Sequence, residues 1–339
     1  MSRHRTGQFC RRYLAWPVLM LLLVATGCEG GQKGKPQTKI QGADKMITYA
    51  IGRFAIDIPA EMKLDHQGQT FRYTEIDEVV WPADVPREKA REAEWESRLV
   101  KIKKLRPPRG KDRIVLETRD LPALGAWAKA VLYYNSDASS QEGDWEVLVD
   151  TGSSGVRLRY NGLLTAKEEM LGWVIGIAKA YQSRPTGQLQ PRGNWFYTPS
   201  GGVDLPFLEQ ESVAARFSGH PLGLKFEIQT NEIHRVEDKG HNLLGRLAAV
   251  LATGYNAGVG VEKIRTGKRT VAGLAGEEII TRLDDQGEKQ LSFMWRYAGE
   301  PDSGERPEVL IEMEAENGKL QEKMKVWDAV LDTMKPMYR

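Results

Sequence analysis

The sequence predicts an α+β fold built from two similar units, each a mostly antiparallel sheet with two helices. Strand and helix signals recur in the same order, β-β-α-β-β-β-β-α, in two halves of the chain. Several connections between strands are too short for a crossover helix, so the sheet is expected to be mostly antiparallel. With 41% apolar and 28% charged residues over 339 positions, the chain can fill a core. That composition excludes a disordered, a collagen-like and a polytopic membrane protein. The 48 Lys and Arg against 46 Asp and Glu give no general attraction to nucleic acid.

Residues 1–27 read as an export signal. Arg3, Arg5, Arg11 and Arg12 form a basic start without an acid, and an apolar stretch follows from Tyr13 to Ala25. It ends in Val24-Ala25-Thr26-Gly27-Cys28, which resembles the lipobox of bacterial lipoproteins. The resemblance implies cleavage before Cys28 and lipidation of that residue. The mature chain then has 312 residues, a net charge of −2 instead of +2, and no free thiol, since Cys10 leaves with the signal. Residues 28–45 follow as a flexible tether rich in Gly, Lys, Gln and Thr, with a reach of about 20–25 Å. Glu29 after the Cys, instead of Asp, points to the periplasmic leaflet of the outer membrane.

The first domain is placed at 46–184. Phe54, Ile56 and Ile58 alternate in Gly52–Pro59 as a half-buried strand ended by Pro59. A strand is predicted over Thr70–Val80 and a charged helix over Arg87–Leu105, with Trp95, Leu99 and Ile102 on one face. Strands follow at Arg113–Thr118, Ala126–Tyr134, Trp145–Asp150 and Val156–Tyr160. A helix over Ala166–Gln182 carries the stripe Met170, Trp173, Val174, Ile177 and Tyr181.

The second domain is placed at 185–339, after the break Ser183-Arg184-Pro185-Thr186-Gly187. Its strands are Ser212–Phe217, Leu224–Thr230, Glu262–Thr266, Glu277–Leu283, Gln290–Tyr297 and Glu308–Ala315. Its helices are Asn242–Tyr255, with Leu244, Leu247 and Leu251 on one face, and Lys319–Met334, with Met324, Trp327, Val330 and Leu331. Met170 and Trp173 map onto Met324 and Trp327 at a common offset of 154 positions (324 − 170), as Ile177 does onto Leu331. Leu124-Gly125, before the fifth strand, is matched with Ala275-Gly276.

Catalytic signatures are missing. Thr151-Gly152-Ser153-Ser154-Gly155 has the wrong spacing for a nucleophile elbow and reads as a turn between strands. Gly254–Gly260 follows a helix instead of opening one, so it reads as a helix cap and turn, not a phosphate loop. His234 and His241, with Glu232, Glu237 and Asp238, lack the short ligand spacing of a metal site. No metal, cofactor or catalytic residue is therefore assigned, and the chain is read as a non-enzyme. Lys101, Lys103, Lys104, Arg106, Arg109, Lys111 and Arg113 form a basic stretch across Pro107-Pro108, at a helix end where the dipole favours cations. It could steer an acidic protein partner. Trp95, Trp173, Trp295 and Trp327 occupy core-type positions, whereas Trp81, beside Pro82 and Pro86, is a candidate exposed anchor for a partner.

Together, these residues resemble the lipoprotein immunity proteins that neutralise phospholipase effectors of the type VI secretion system. The resemblance rests on Gly52-Arg53-Phe54-Ala55-Ile56-Asp57-Ile58-Pro59, on Val271-Ala272-Gly273-Leu274-Ala275-Gly276-Glu277-Glu278, and on the close Trp327-Asp328-Ala329-Val330-Leu331. It departs at Asn194-Trp195-Phe196-Tyr197-Thr198-Pro199, where the family opens its second unit with a Cys. The resemblance implies a periplasmic, lipid-anchored inhibitor whose two units form a clamp that grips the cognate phospholipase and blocks its active site. Its partners would be that effector and, through the anchor, a membrane; no nucleic acid is expected. The motifs are structural and name no interface residue. An envelope lipoprotein that binds a lipid or assists assembly is the alternative, and a hydrolase of unfamiliar type a third.

Overall fold

A computed structural model describes residues 45–184, 189, 193–235, 243–252, 259–285 and 287–338. The predicted signal, Cys28, the tether up to residue 44, and Glu237, Asp238 and His241 lie outside the described residues. The contacts of Gln41–Arg339 form one compact unit.

The first half runs β1 (Met46–Ile51), β2 (Phe54–Pro59), β3 (Lys63–Phe71), β4 (Thr74–Val80), α1 (Arg87–Lys103), β5 (Val115–Asp120), β6 (Ala128–Tyr133), β7 (Glu142–Asp150), β8 (Ser154–Leu163), α2 (Lys167–Ala180) and β9 (Tyr181–Ser183). The second runs β10 (Trp195–Thr198), β11 (Gly201–Asp204), β12 (Glu211–Ser218), β13 (Lys225–Asn231), α3 (Leu243–Ala252), β14 (Val259–Val271), β15 (Leu274–Asp285), β16 (Glu288–Tyr297), β17 (Glu308–Glu316), α4 (Leu320–Thr333) and β18 (Lys335–Pro336). Twelve strands form one sheet in the order β14-β15-β16-β17-β13-β12-β3-β4-β8-β7-β6-β5, and every pairing in it is antiparallel. Read outward from the β3–β12 seam, both halves repeat one strand order, β3-β4-β8-β7-β6-β5 and β12-β13-β17-β16-β15-β14. The predicted order of elements is thus present twice, and the two copies share the sheet.

The members of the first copy differ from the prediction at two points. Gly52–Pro59 is not its first strand: β2 pairs with β1 in a separate small sheet, and β3 takes the first place. Nearly every residue of β2 is buried, so the alternation in its sequence does not mark a half-exposed strand. The predicted strand Thr70–Val80 is instead the end of β3, a two-residue turn and β4. Arg72 and Tyr73 both adopt positive φ, 48° and 63°, in that turn. Hairpin turns of this kind favour Asn and Gly, and an Arg-Tyr pair gives no turn signal.

Each copy is preceded by a hairpin, β1–β2 or β10–β11, and followed by a short strand after its last helix. These parts are exchanged. β9, which ends the first copy, pairs with β11 of the second, and β18, which ends the second, pairs with β2 of the first. Gly52 and Tyr197 bridge the two hairpins, with the Tyr197 N–H donating to the Gly52 carbonyl at 2.8 Å. Gly52 has φ +58°, and a Cβ there would sit 3.0 Å from Val213 Cγ2, so glycine is required. Asn194–Pro199 therefore belongs to this brace, while β12 starts within one residue of its predicted position.

The helix offset also needs correction. A shift of 153 positions (334 − 181), not 154, superposes the buried phases: Met170 on Lys323, Val174 on Trp327, Ile177 on Val330 and Tyr181 on Met334, all buried. One residue turns a helix by about 100°. That rotation carries Trp173 out of the core to 40% exposure, whereas Trp327 is fully buried. Trp95 and Trp295 are buried as predicted. Leu124-Gly125 and Ala275-Gly276 are not equivalent either. Gly125 caps a short 3-10 turn, and Gly276 lies inside β15 beneath Trp295.

Candidate partner-binding face

The register assigns the side chains of the large sheet to two faces. On one, Trp145, Val147, Leu158, Ile76, Val213, Ile228, Ile311 and Phe293 form a continuous core. α2 packs on this face over β7 and β8. α4 covers it in the second half, with Trp327 stacked on Phe226 at 6.0 Å and tilted on Phe293 at 5.7 Å. The small sheets close the middle, where Tyr49 meets Phe217 and Phe71 meets Phe196.

The opposite face has helices only toward its ends. α1 packs Trp95, Leu99 and Ile102 with Val131, Tyr133 and Leu148 of β6 and β7. α3 packs on β14 and β15, and its Leu244 N–H donates to Glu277 at 3.0 Å. Between them, Gly68 and Thr70 of β3, Ser212 and Ala214 of β12, Gln229 of β13 and Leu310 of β17 form a half-buried strip of small or uncharged residues. No described helix lies over it. An alternating strand with one wet face explains each of these positions singly; four strands wide, the strip is large enough to seat a partner.

Charge differs around it. Toward α1, Arg157 pairs with Asp77 at 2.9 Å and with Glu94 at 3.4 Å, Arg159 pairs with Glu75, and Arg98 grips the buried Glu146 through both guanidinium edges. Burial pushes the Asp144 carboxyl and the Tyr133 hydroxyl above their ordinary values. Farther along the same strands lies a cleft of about 370 Å³ lined by Asp65, Arg216, Lys225, Glu227, Glu312 and Glu314, among others. Burial, and then the like charges of Glu227 and Glu314, raise the Glu312 carboxyl. This cleft attracts cations, and the strip offers small, uncharged contact. The arrangement is suited to holding a surface, and no nucleophile with an adjacent base accompanies it among the described residues.

The residues singled out by sequence fall elsewhere. Trp81 is not a free anchor: its indole lies over Gly155, where a Cβ would stand 2.5 Å from the ring. His234 has its Nδ1 2.9 Å from Asp302 and 3.3 Å from Glu232, a cluster at the end of β13 whose His and Asp are exposed. The predicted metal grouping with Glu237, Asp238 and His241 lies partly outside the described residues. All seven cations from Lys101 to Arg113 are exposed. Arg53, from the opening motif, is buried in a bidentate pair with Glu211 at 2.7 and 2.6 Å. The uncovered face itself was missed, because no local signal says where α1 and α3 settle on the sheet.

Comparison with known proteins agrees with the resemblance read from the sequence. Residues 200–337 match the family described as the Tle cognate immunity protein 4 C-terminal domain. The immunity protein TplEi of the type VI secretion system from Pseudomonas aeruginosa, in its apo structure, is similar with a TM-score of 0.69 at 19% identity, over 86% of this chain and 97% of that one. A chain of the Tle4–Tli4 complex gives a TM-score of 0.70 at 18% identity, with coverage of 86% and 97%. TplEi bound to an "L" peptide gives 0.64 at 18%, with coverage of 86% and 98%. These likenesses show a shared fold. No curated protein sequence matches.

Proposed function

We propose that this chain is a lipid-anchored periplasmic immunity protein. It binds a phospholipase effector of the type VI secretion system and inhibits it stoichiometrically, which protects the producing cell and its kin. The family match over residues 200–337 carries the proposal, since it is a match to the C-terminal domain of an immunity protein. The Tle4–Tli4 complex supports recognition of an effector by a protein of this fold. The uncovered sheet face is our choice for the contact surface, with Ala214, Gln229 and Leu310 at its centre. Inhibition comes from buried interface area and involves no turnover. Cys28 carries the lipid, and the tether holds the inhibitor where a phospholipase acts, which raises its effective concentration there.

The test is a titration of the mature chain, Cys28→Ser, into the phospholipase encoded beside it. Turnover should fall to completion near one equivalent. Ala214→Arg should weaken inhibition by at least about tenfold, as a charge set in the centre of an interface does, with an unchanged melting temperature. Undiminished turnover and no complex on a sizing column would sink the effector reading. Full inhibition by the Ala214→Arg protein would move the contact surface off this face.

A further inference from the structure

The C-terminal end of α1 and the segment after it present a fixed cationic platform. Lys101, Lys103, Lys104, Arg106, Arg109, Lys111 and Arg113 are all exposed, and among the described residues their sole ion pair is Arg106 with Asp137 at 3.9 Å, between two exposed side chains. Of the four acids of the same helix, Glu92 binds Lys129 and the Trp127 indole and Glu94 meets Arg157, while Glu88 and Glu96 are exposed; Asp112 is the one acid within the basic segment. The platform is not a loose tail. Ile102, Pro108 and Ile114 are buried beneath it, and turn hydrogen bonds from Leu105 to Ile102 and from Lys111 to Pro108 hold its shape.

Two apolar side chains stand among these cations without cover. Val100 is 51% exposed and Leu105 43%. Long cationic side chains can keep their charges at headgroup depth while neighbouring apolar groups go deeper. An acidic protein would answer the charges and leave Val100 and Leu105 without a role. A layered surface, anionic outside and apolar beneath, answers both. We infer that this platform docks on an anionic lipid bilayer and sets the orientation of the body on the membrane. The inference rests on the reading of the chain as an exported protein held at a membrane, and it is independent of the effector.

The test is flotation of the mature chain, Cys28→Ser so that no acyl chain contributes, with vesicles of neutral phosphatidylcholine or of phosphatidylcholine mixed with phosphatidylglycerol. Binding should appear on the anionic vesicles alone and fall steeply with added salt. The variant Lys101→Glu, Lys103→Glu, Lys104→Glu, Arg106→Glu should bind at least about tenfold more weakly. Leu105→Asp should also weaken binding. All these positions are exposed, so melting curves should match the parent. Both variants should still inhibit the effector. Equal partition onto neutral and anionic vesicles, or unchanged binding by the charge-reversed variant, would overturn the inference. So would loss of effector inhibition by that variant with no vesicle binding by the parent, which would assign the platform to the protein partner. If no form inhibits the phospholipase but the vesicle results are as expected, the effector reading falls and the lipid docking stands.

Discussion

Replacing Arg53 should expose how the two halves are joined. Its guanidinium holds Glu211 through Nε at 2.7 Å and Nη2 at 2.6 Å, and it also donates to the Asn194 carbonyl at 2.8 Å and the Leu205 carbonyl at 3.3 Å. Arg53 is 5% exposed and Glu211 7%. Arg53→Met removes the cation and leaves a buried carboxylate with two unanswered carbonyls, a loss of about 3–5 kcal/mol. In the native protein, burial already raises Glu211, against the lowering influence of Arg53 and, less strongly, Arg72. Without Arg53 the carboxyl climbs further. The folded state then holds the proton more tightly than the unfolded chain, so stability is greatest below the ordinary glutamate value of about 4.3. It declines as pH rises from there to the new folded value. The deficit against the parent should therefore widen between about pH 4.5 and neutrality.

Urea unfolding at pH 5 and pH 7.5 measures this. The double variant Arg53→Met, Glu211→Leu should recover most of the loss, because an apolar pair of similar volume leaves no buried charge. A loss under about 1 kcal/mol that is the same at both pH values would refute a buried pair.

Trp327→Ala should cost about 3–5 kcal/mol by calorimetry, whereas Trp173→Ala should stay within about 1 kcal/mol; equal losses would restore the offset of 154. Gly155→Ala should cost about 1–3 kcal/mol and shift the fluorescence of the chain, because Trp81 must leave its seat. An unshifted spectrum at parental stability would place the indole elsewhere. Tyr73→Gly relieves one left-handed residue of the β3–β4 turn and should raise stability by about 0.5–1 kcal/mol in urea unfolding. A loss would mean that the Tyr73 contacts with Tyr160 and Glu209 outweigh the strain.

Strands of the large sheet were legible wherever one face is wet: in β13, β16 and β17 buried and half-exposed residues alternate, and the predicted bounds lie close to the observed ones. The helices were legible from their apolar stripes. β2 misled because a strand buried on both sides still alternates by composition, and the β3–β4 turn because its two residues are not turn formers. The one-residue error between α2 and α4 has a physical source. Matching Met with Met and Trp with Trp compares residue types, whereas packing conserves phase, and Lys323 fills the phase of Met170 by sending its ammonium to the Glu316 carbonyl. Of the proposed contact face, the outward positions were readable one strand at a time. Their union across four strands depends on the β3–β12 seam, a pairing between residues more than a hundred positions apart, for which no local pattern exists.

The exchanged strands bear on how such a face would bind. A clamp of two independently hinged halves would lose conformational freedom on closing around a partner, and that loss subtracts from affinity. Here each half ends by adding a strand to the hairpin that opens the other, and Arg184 and Met337 extend both exchanges with backbone bonds to Ser200 and Arg53. Arg184 also donates to the Gly201 and Thr198 carbonyls and lies 4.6 Å over the Tyr197 ring. To separate the halves, both exchanges, the seam and the Arg53–Glu211 pair must break together. The uncovered face spans that seam, so the strip, its ion-paired side toward α1 and its acidic cleft are held in fixed positions before any partner arrives. Binding energy is then not drawn on to assemble the surface, which favours a tight inhibitor from an interface of ordinary size.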